Sequence, residues 1–172
     1  MKTKHNPESA FSLVEVVLAL AVAAFSLVTV FGLLPVGINS NQNSIRQTAA
    51  ANFAKSIIAD LRATQTNTPR ANTSTVFNIP IPTAGSGNAT HTLFLREDGT
   101  TGTTAVDANA DPSQNPRYRI TLYFYPPTSS SGKSATTARV LITWPALADQ
   151  TASLVPTKFT GSYETSTALN RN

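Results

Sequence analysis

From Phe11 to Ile38 the chain reads FSLVEVVLALAVAAFSLVTVFGLLPVGI, and Glu15 is its only charged residue; no further charge follows until Arg46. A helix of about 20 residues already spans the roughly 30 Å of a bilayer's hydrocarbon core. The run therefore predicts a transmembrane helix over residues 11–38. Lys2 and Lys4 precede it, which predicts a cytoplasmic N-terminus. A cleaved secretory signal is the competing reading. Its apolar region would be shorter, about 7–15 residues, and would give way to polar sequence after a small-x-small site. Here the apolar run is longer and leads into a second helical segment.

Glu15 is the anomaly in this run. A carboxylate deep in a membrane helix costs roughly 2.5–3.5 kcal/mol on insertion scales. Close to the helix N-terminus the cost is smaller, because the helix dipole favours an anion there. The residues around it, Ala10-Phe11-Ser12-Leu13-Val14-Glu15 after a short basic leader, resemble the prepilin cleavage and methylation motif of type IV pilins and type II secretion pseudopilins. The resemblance implies cleavage by a prepilin peptidase between Ala10 and Phe11, N-methylation of Phe11, and Glu15 as the fifth residue of the mature chain. Ala10 departs from the Gly usual at the position before the cut, although it too is small. An amine at a new N-terminus and a carboxylate at the same depth form a pair that one subunit can offer to its neighbour. In an apolar bundle such a pair is kept only when both members are present, since an orphan charge is costly. Glu15 is thereby expected to be an assembly residue. A narrower likeness, carried by AFSLVEVVLAL, FGLLPVG and the Ala-rich stretch ending ADLRA, is to the cassette protein B family of Verrucomicrobia-type bacteria.

Beyond the apolar run, Gly32 to Gly37 with Pro35 predicts a kink, a short break or the helix end, because Pro removes a backbone bond. Residues 39–63 read as a second, amphipathic helix. Ile45, Ala49, Phe53, Ile57 and Leu61 recur at i+4, with Ala54 and Ile58 widening the stripe. Asn39 or Ser40 is the expected cap, and Arg46, Lys55, Asp60 and Arg62 the expected solvated or subunit-facing side. Strands are expected at 76–79, 92–96, 117–125, 139–144 and 154–159. In RYRITLYFY, Ile120, Leu122 and Phe124 share one face, Tyr123 and Tyr125 the other. The sequence thus predicts an α+β chain: a leader (1–10), a transmembrane helix (11–38), a periplasmic pilin-like domain (39–160, with helix 39–63 packed on a small antiparallel sheet within 75–160), and a flexible tail (161–172).

Composition narrows the function. The chain has no Cys and two His among 172 residues, so thiol chemistry is excluded and a multi-His metal site or Ser/His/Asp triad has little to draw on. The expectation is that it is not an enzyme and needs no cofactor. The net charge is +4, but the positive residues form no run, so nucleic acid is not an expected partner. Asp107, Asn109 and Asp111 have the spacing that opens an EF-hand calcium loop. Pro112 and Tyr118 spoil its later positions, and a solvated turn is the better reading. Ser131-Gly132-Lys133-Ser134 lacks the first Gly and the strand-to-helix setting of a phosphate loop. Asn72-Thr73-Ser74 and Asn88-Ala89-Thr90 fit the N-glycosylation pattern, which is common in a Thr-rich chain. His91 has no acid or nucleophile partner in sequence. Trp144, Tyr123 and Tyr125 are expected in the core or at a subunit contact.

The pilin resemblance implies a structural subunit, minor pilin or pseudopilin, of a type IV pilus or type II secretion-like filament. It would sit single-pass in a bacterial inner membrane with its C-terminal domain periplasmic. Its partners would be the prepilin peptidase, other pilin-like subunits, and an inner-membrane assembly platform with its ATPase. The alternative is a membrane-anchored periplasmic binding module with no filament role.

Overall fold

The computed structural model describes residues 11–64, 72–102, 115–128, 135–149 and 155–170. Two units are distinguished, one ending at Ser44 and one beginning at Ile45. Helix α1 runs Leu13–Ala63 and contains Pro35. The expected break at residues 32–37 is therefore corrected: Asn39 and Ser40 lie inside the helix and cap nothing. Pro35 removes a single N–H from the ladder, and the helix formers on either side carry the remaining bonds across.

In the first unit every described side chain is exposed, including the apolar residues Leu13 to Ile38. This stretch is long and apolar enough to cross a membrane. Its hydroxyls are satisfied within the helix: Ser26 donates to the Val22 carbonyl at 2.8 Å and Thr29 to the Phe25 carbonyl at 2.9 Å. A helix that bonds its own polar groups meets the demand a hydrocarbon surrounding makes.

The second unit holds a five-stranded antiparallel sheet in the order β2-β1-β3-β4-β5. The strands are β1 (Ala89–Leu95), β2 (Thr101–Gly102), β3 (Tyr118–Tyr125), β4 (Ala135–Trp144) and β5 (Gly161–Asn170). Alternation sends Tyr118, Ile120, Leu122 and Phe124 of β3 to one face. Register aligns Leu93, Ile120 and Ile142 across β1, β3 and β4. Against that face pack Ala50, Ala54, Ile57 and Leu61 of α1, all fully buried. Phe53 meets Tyr118 edge-on at 5.1 Å, and Tyr118 meets Trp144 at 6.1 Å, so one aromatic chain ties helix to sheet. Ala49, Phe53 and Ile58 flank the buried stripe, but Ile45 is 57% exposed, outside the face assigned to it from sequence. The result is an α+β arrangement consistent with a pilin-like fold.

Three more expectations are corrected. Gly161–Asn170 is not a flexible tail but a ten-residue strand paired along its whole length with β4. Its inward side is Tyr163, Thr165, Thr167 and Leu169, which is β-favouring but too hydroxyl-rich to read as an apolar alternation. The described residues of the expected 154–159 strand, from Val155 on, are not in a strand. Nor are Val76 to Ile79: residues 75–77 form a turn, because the N–H groups of Val76 and Phe77 bond the Asp60 carboxylate, at 3.1 and 3.0 Å.

Candidate functional site

Two places carry concentrated chemistry, the start of α1 and the head of the sheet unit. At the start of α1, Ser12 is the N-cap. Its backbone N–H donates to the Glu15 carboxylate at 3.0 Å, and its hydroxyl accepts the Glu15 N–H at 3.2 Å. This reciprocal pair is a capping box, which satisfies two donors that a helix end otherwise leaves open. Phe11 precedes the cap and is 84% exposed; with Val16 it occupies the two positions of a hydrophobic staple. Sequence reasoning overlooked Ser12, although Ser-x-x-Glu before an apolar run was the signal that identifies it. Glu15 thus has a local role independent of any neighbour: it holds the first turn. Ala10, the other processing residue, lies outside the described residues.

In the sheet unit, Asp60 was expected to face solvent or another subunit. Instead it is buried near the end of α1. Its carboxylate accepts from the Thr75 hydroxyl at 3.2 Å as well as from Val76 and Phe77. Burial pushes its pKa up, but the hydrogen bonds from Ser74, Phe77, Val76 and Thr75 outweigh that and hold it below the usual carboxylate value. The Ser74 hydroxyl also accepts the Ile79 N–H at 3.0 Å, so the serine of the Asn72 sequon is locked inside the fold. Arg62 reaches across to donate to the Thr167 hydroxyl at 2.7 Å, fastening the helix to β5. Arg46 is half-buried and Lys55 exposed.

On the sheet's other face, Arg119 is fully buried and pairs with the buried Asp149 at 2.8 Å. Asp149 also accepts the Thr157 N–H at 2.6 Å. The segment after β4 therefore covers one end of this face, which hides a charge that strand alternation alone would place in solvent. Toward the other end, Arg139 forms a two-point pair with Glu164 at 2.6 and 2.8 Å and lies 5.2 Å over the Tyr123 ring. The hydrogen bonds and charge of Arg139 keep Glu164 below its usual pKa. Tyr123 and Tyr125 do lie opposite the core, as expected, with Tyr125 42% exposed; Trp144 is buried in the core.

His91 stands on the core-facing side of β1, opposite Leu122 of β3. It is half-buried, and burial lowers its pKa, favouring the neutral ring. It borders an open cleft that also touches Asn72 and Phe124. The calcium candidates Asp107, Asn109 and Asp111 and the 131–134 motif lie outside the described residues. Among the described residues no three His, Asp or Glu side chains stand together as a metal-binding group. Comparison with protein-family models, with curated proteins and with solved structures finds no match to this chain.

Proposed function

We propose that the chain is a structural subunit of a membrane-anchored filament, a minor pilin or pseudopilin of a type IV pilus or type II secretion-like system. In this reading a prepilin peptidase cuts between Ala10 and Phe11 and Phe11 is N-methylated. The apolar half of α1 holds the subunit single-pass in the inner membrane with the sheet unit on the periplasmic side. An assembly platform and its ATPase then move it into a filament of similar subunits. The observation that supports this best is one arrangement on one element. Phe11 and Glu15 stand first and fifth at the start of a helix whose first half is wholly exposed and apolar. The second half of that helix supplies the core of an antiparallel sheet.

A plain membrane anchor would need the apolar helix but neither the processing residues nor the buried-charge logic of Glu15. The mature N-terminus, read by mass spectrometry in cells with an active prepilin peptidase, separates the two. N-methyl-Phe11 is the expected first residue. An intact leader through Ala10 sinks the filament reading and leaves the anchor.

A further inference from the structure

Two contacts fix which end of the sheet unit receives the chain from the apolar stretch. Phe53 meets Tyr118, the first residue of β3, at 5.1 Å, whereas Arg62, further along α1, bonds Thr167 toward the end of β5. α1 therefore enters the unit where β3 begins, β4 stops at Trp144 and β5 starts at Gly161. The segment joining β4 to β5 is stitched to that same end. The Ala146 N–H donates to the Arg117 carbonyl at 2.9 Å, the Thr157 N–H to the Asp149 carboxylate at 2.6 Å, and the Thr160 N–H to the Trp144 carbonyl at 2.8 Å. Yet this strap leaves large apolar side chains in the open: Leu147 is 39%, Val155 60% and Phe159 45% exposed, with Ile45 of the entering helix also exposed. Among the described residues of the unit, the other exposed large apolar side chains are Val76, beside Asp60, and Tyr125, at the end of β3; both lie toward the opposite end. Apolar exposure gathered on one short segment marks a contact surface, unlike single scattered side chains.

We propose that this end of the sheet unit rests on the phospholipid surface, with Leu147, Val155 and Phe159 dipping below the head groups and Lys158 among the phosphates. The proposal rests on the membrane-spanning part of the function proposed above and not on its filament part. Reach is the first argument. Ile38 closes the apolar run and Ile45 opens the sheet unit; at 1.5 Å per helical residue they lie about 10 Å apart along the helix. A head-group layer is itself roughly 5–8 Å deep, so the link holds the entry end close to lipid. Chemistry is the second argument. An interfacial segment combines aliphatic and aromatic side chains with cations that stay at the phosphates. Here Lys158 is exposed next to Phe159. Burial and Glu97 raise the Tyr118 pKa, and Arg46 and Arg117 stand close enough to oppose them, which puts two further cations at this end. Glu97 lies 3.7 Å from Arg117, and Asp98 feels the charge of Arg96. Arg46 and Lys158 therefore tip the local balance to positive among the described residues.

The chain has no Cys, so single-Cys variants report one site each. Leu147→Cys, Phe159→Cys, Tyr125→Cys and Val28→Cys, each in the full chain and carrying a nitroxide label, are reconstituted sparsely in vesicles of phosphatidylcholine and phosphatidylglycerol. Electron paramagnetic resonance then compares collisions with oxygen, which concentrates in lipid, and with a water-soluble nickel chelate. The oxygen-to-nickel ratio is expected to be several-fold higher for the Leu147→Cys and Phe159→Cys labels than for the Tyr125→Cys label, and highest for Val28→Cys. If Leu147→Cys loses its circular-dichroism melt, Val155→Cys takes its place, since Val155 is more exposed and lies outside any helix or strand. Water-like labels on the strap, with Val28→Cys in lipid, overturn this proposal alone. Strap labels shielded from both reagents show a protein contact, such as a second copy, and overturn it too. A water-like Val28→Cys label overturns the membrane-spanning reading and this proposal together.

Discussion

Asp60 shows how one side chain sets a local structure that its own neighbours in sequence do not announce. It lies near the end of α1 and holds residues 75–77 as a turn by accepting the Thr75 hydroxyl and the N–H groups of Val76 and Phe77. Its lowered pKa has a direct consequence for acid stability. A carboxylate depressed in the folded state contributes stability that is present above its unfolded pKa of 3.8 and is lost as pH falls through the folded value. His91 acts in an earlier window with the same direction. Its folded pKa lies below 6.5, so protonation favours the unfolded chain, and its contribution present above pH 6.5 is lost on descending through the folded value. The melting temperature is expected to fall in two steps on acidification. His91→Gln should remove the first step and Asp60→Asn should reduce the second, to which Glu164 also contributes. A melting curve insensitive to pH from 6.5 down would contradict both assignments. Thr121 tests a different physical point. Its hydroxyl is fully buried on the outer face and has no hydrogen-bond partner. Replacing it with Val keeps the shape and the branching while removing an unsatisfied polar group. Thr121→Val should therefore stabilise the fold, by about 1 kcal/mol in denaturant unfolding; a loss of similar size would show that the hydroxyl is satisfied.

At the scale of elements, β5 and the first turn of α1 carry the sharpest expectations. β5 covers the flank of β4 along ten residues and starts beneath the Trp144 indole, which a Cβ at Gly161 would overlap. Gly161→Ala forces that ring to move, at a cost of about 1–3 kcal/mol by the usual penalty for overpacking. A chain stopped after Thr160 uncovers Trp144, Ile142 and Val140 and should lose its cooperative melt, whereas removal of a flexible tail would leave melting unchanged. Circular dichroism of the two variants distinguishes these outcomes. In α1 the capping box means that Glu15→Ala removes two things, a cap and a charge. Glu15→Gln removes only the charge, since Gln serves the third helical position of a capping box as well as Glu does. On the filament reading both variants should insert and be cleaved, yet both should vanish from sheared filament fractions. A buried unpaired amine costs on the order of 3–5 kcal/mol. Glu15→Asp, which keeps a charge of shorter reach, should be intermediate. Wild-type levels of Glu15→Gln in those fractions would reduce Glu15 to a helix cap.

For the whole molecule, the two units predict a separation of tasks. All of the buried core lies at or beyond Ala50, and none lies in the apolar stretch from Leu13 to Ile38. A chain beginning near Asn39 should consequently be soluble and melt within a few degrees of the full chain in micelles, because it keeps every core contact. The full chain should pellet with membranes and need detergent for release. If the shortened chain fails to fold, the apolar stretch contributes to the sheet unit in a way its exposure does not suggest. What the residues alone determined was whatever depends on local composition and short periods. The apolar run needs no tertiary contact to be recognised, since its length against the bilayer is the whole argument. The alternation in β1, β3 and β4 and the Ile57–Leu61 stripe likewise declared themselves, because one-sided burial writes a period into the sequence. The capping box at Ser12 and Glu15 was equally local and open to reading. Only the tertiary structure decided the burial of Asp60, the Arg119–Asp149 pair, the strand nature of residues 161–170 and the cleft beside His91. In the first three, the partner lies well along the chain from the residue it satisfies. A polar side chain is stable inside a protein only when such a distant partner arrives, and no local pattern records whether it will.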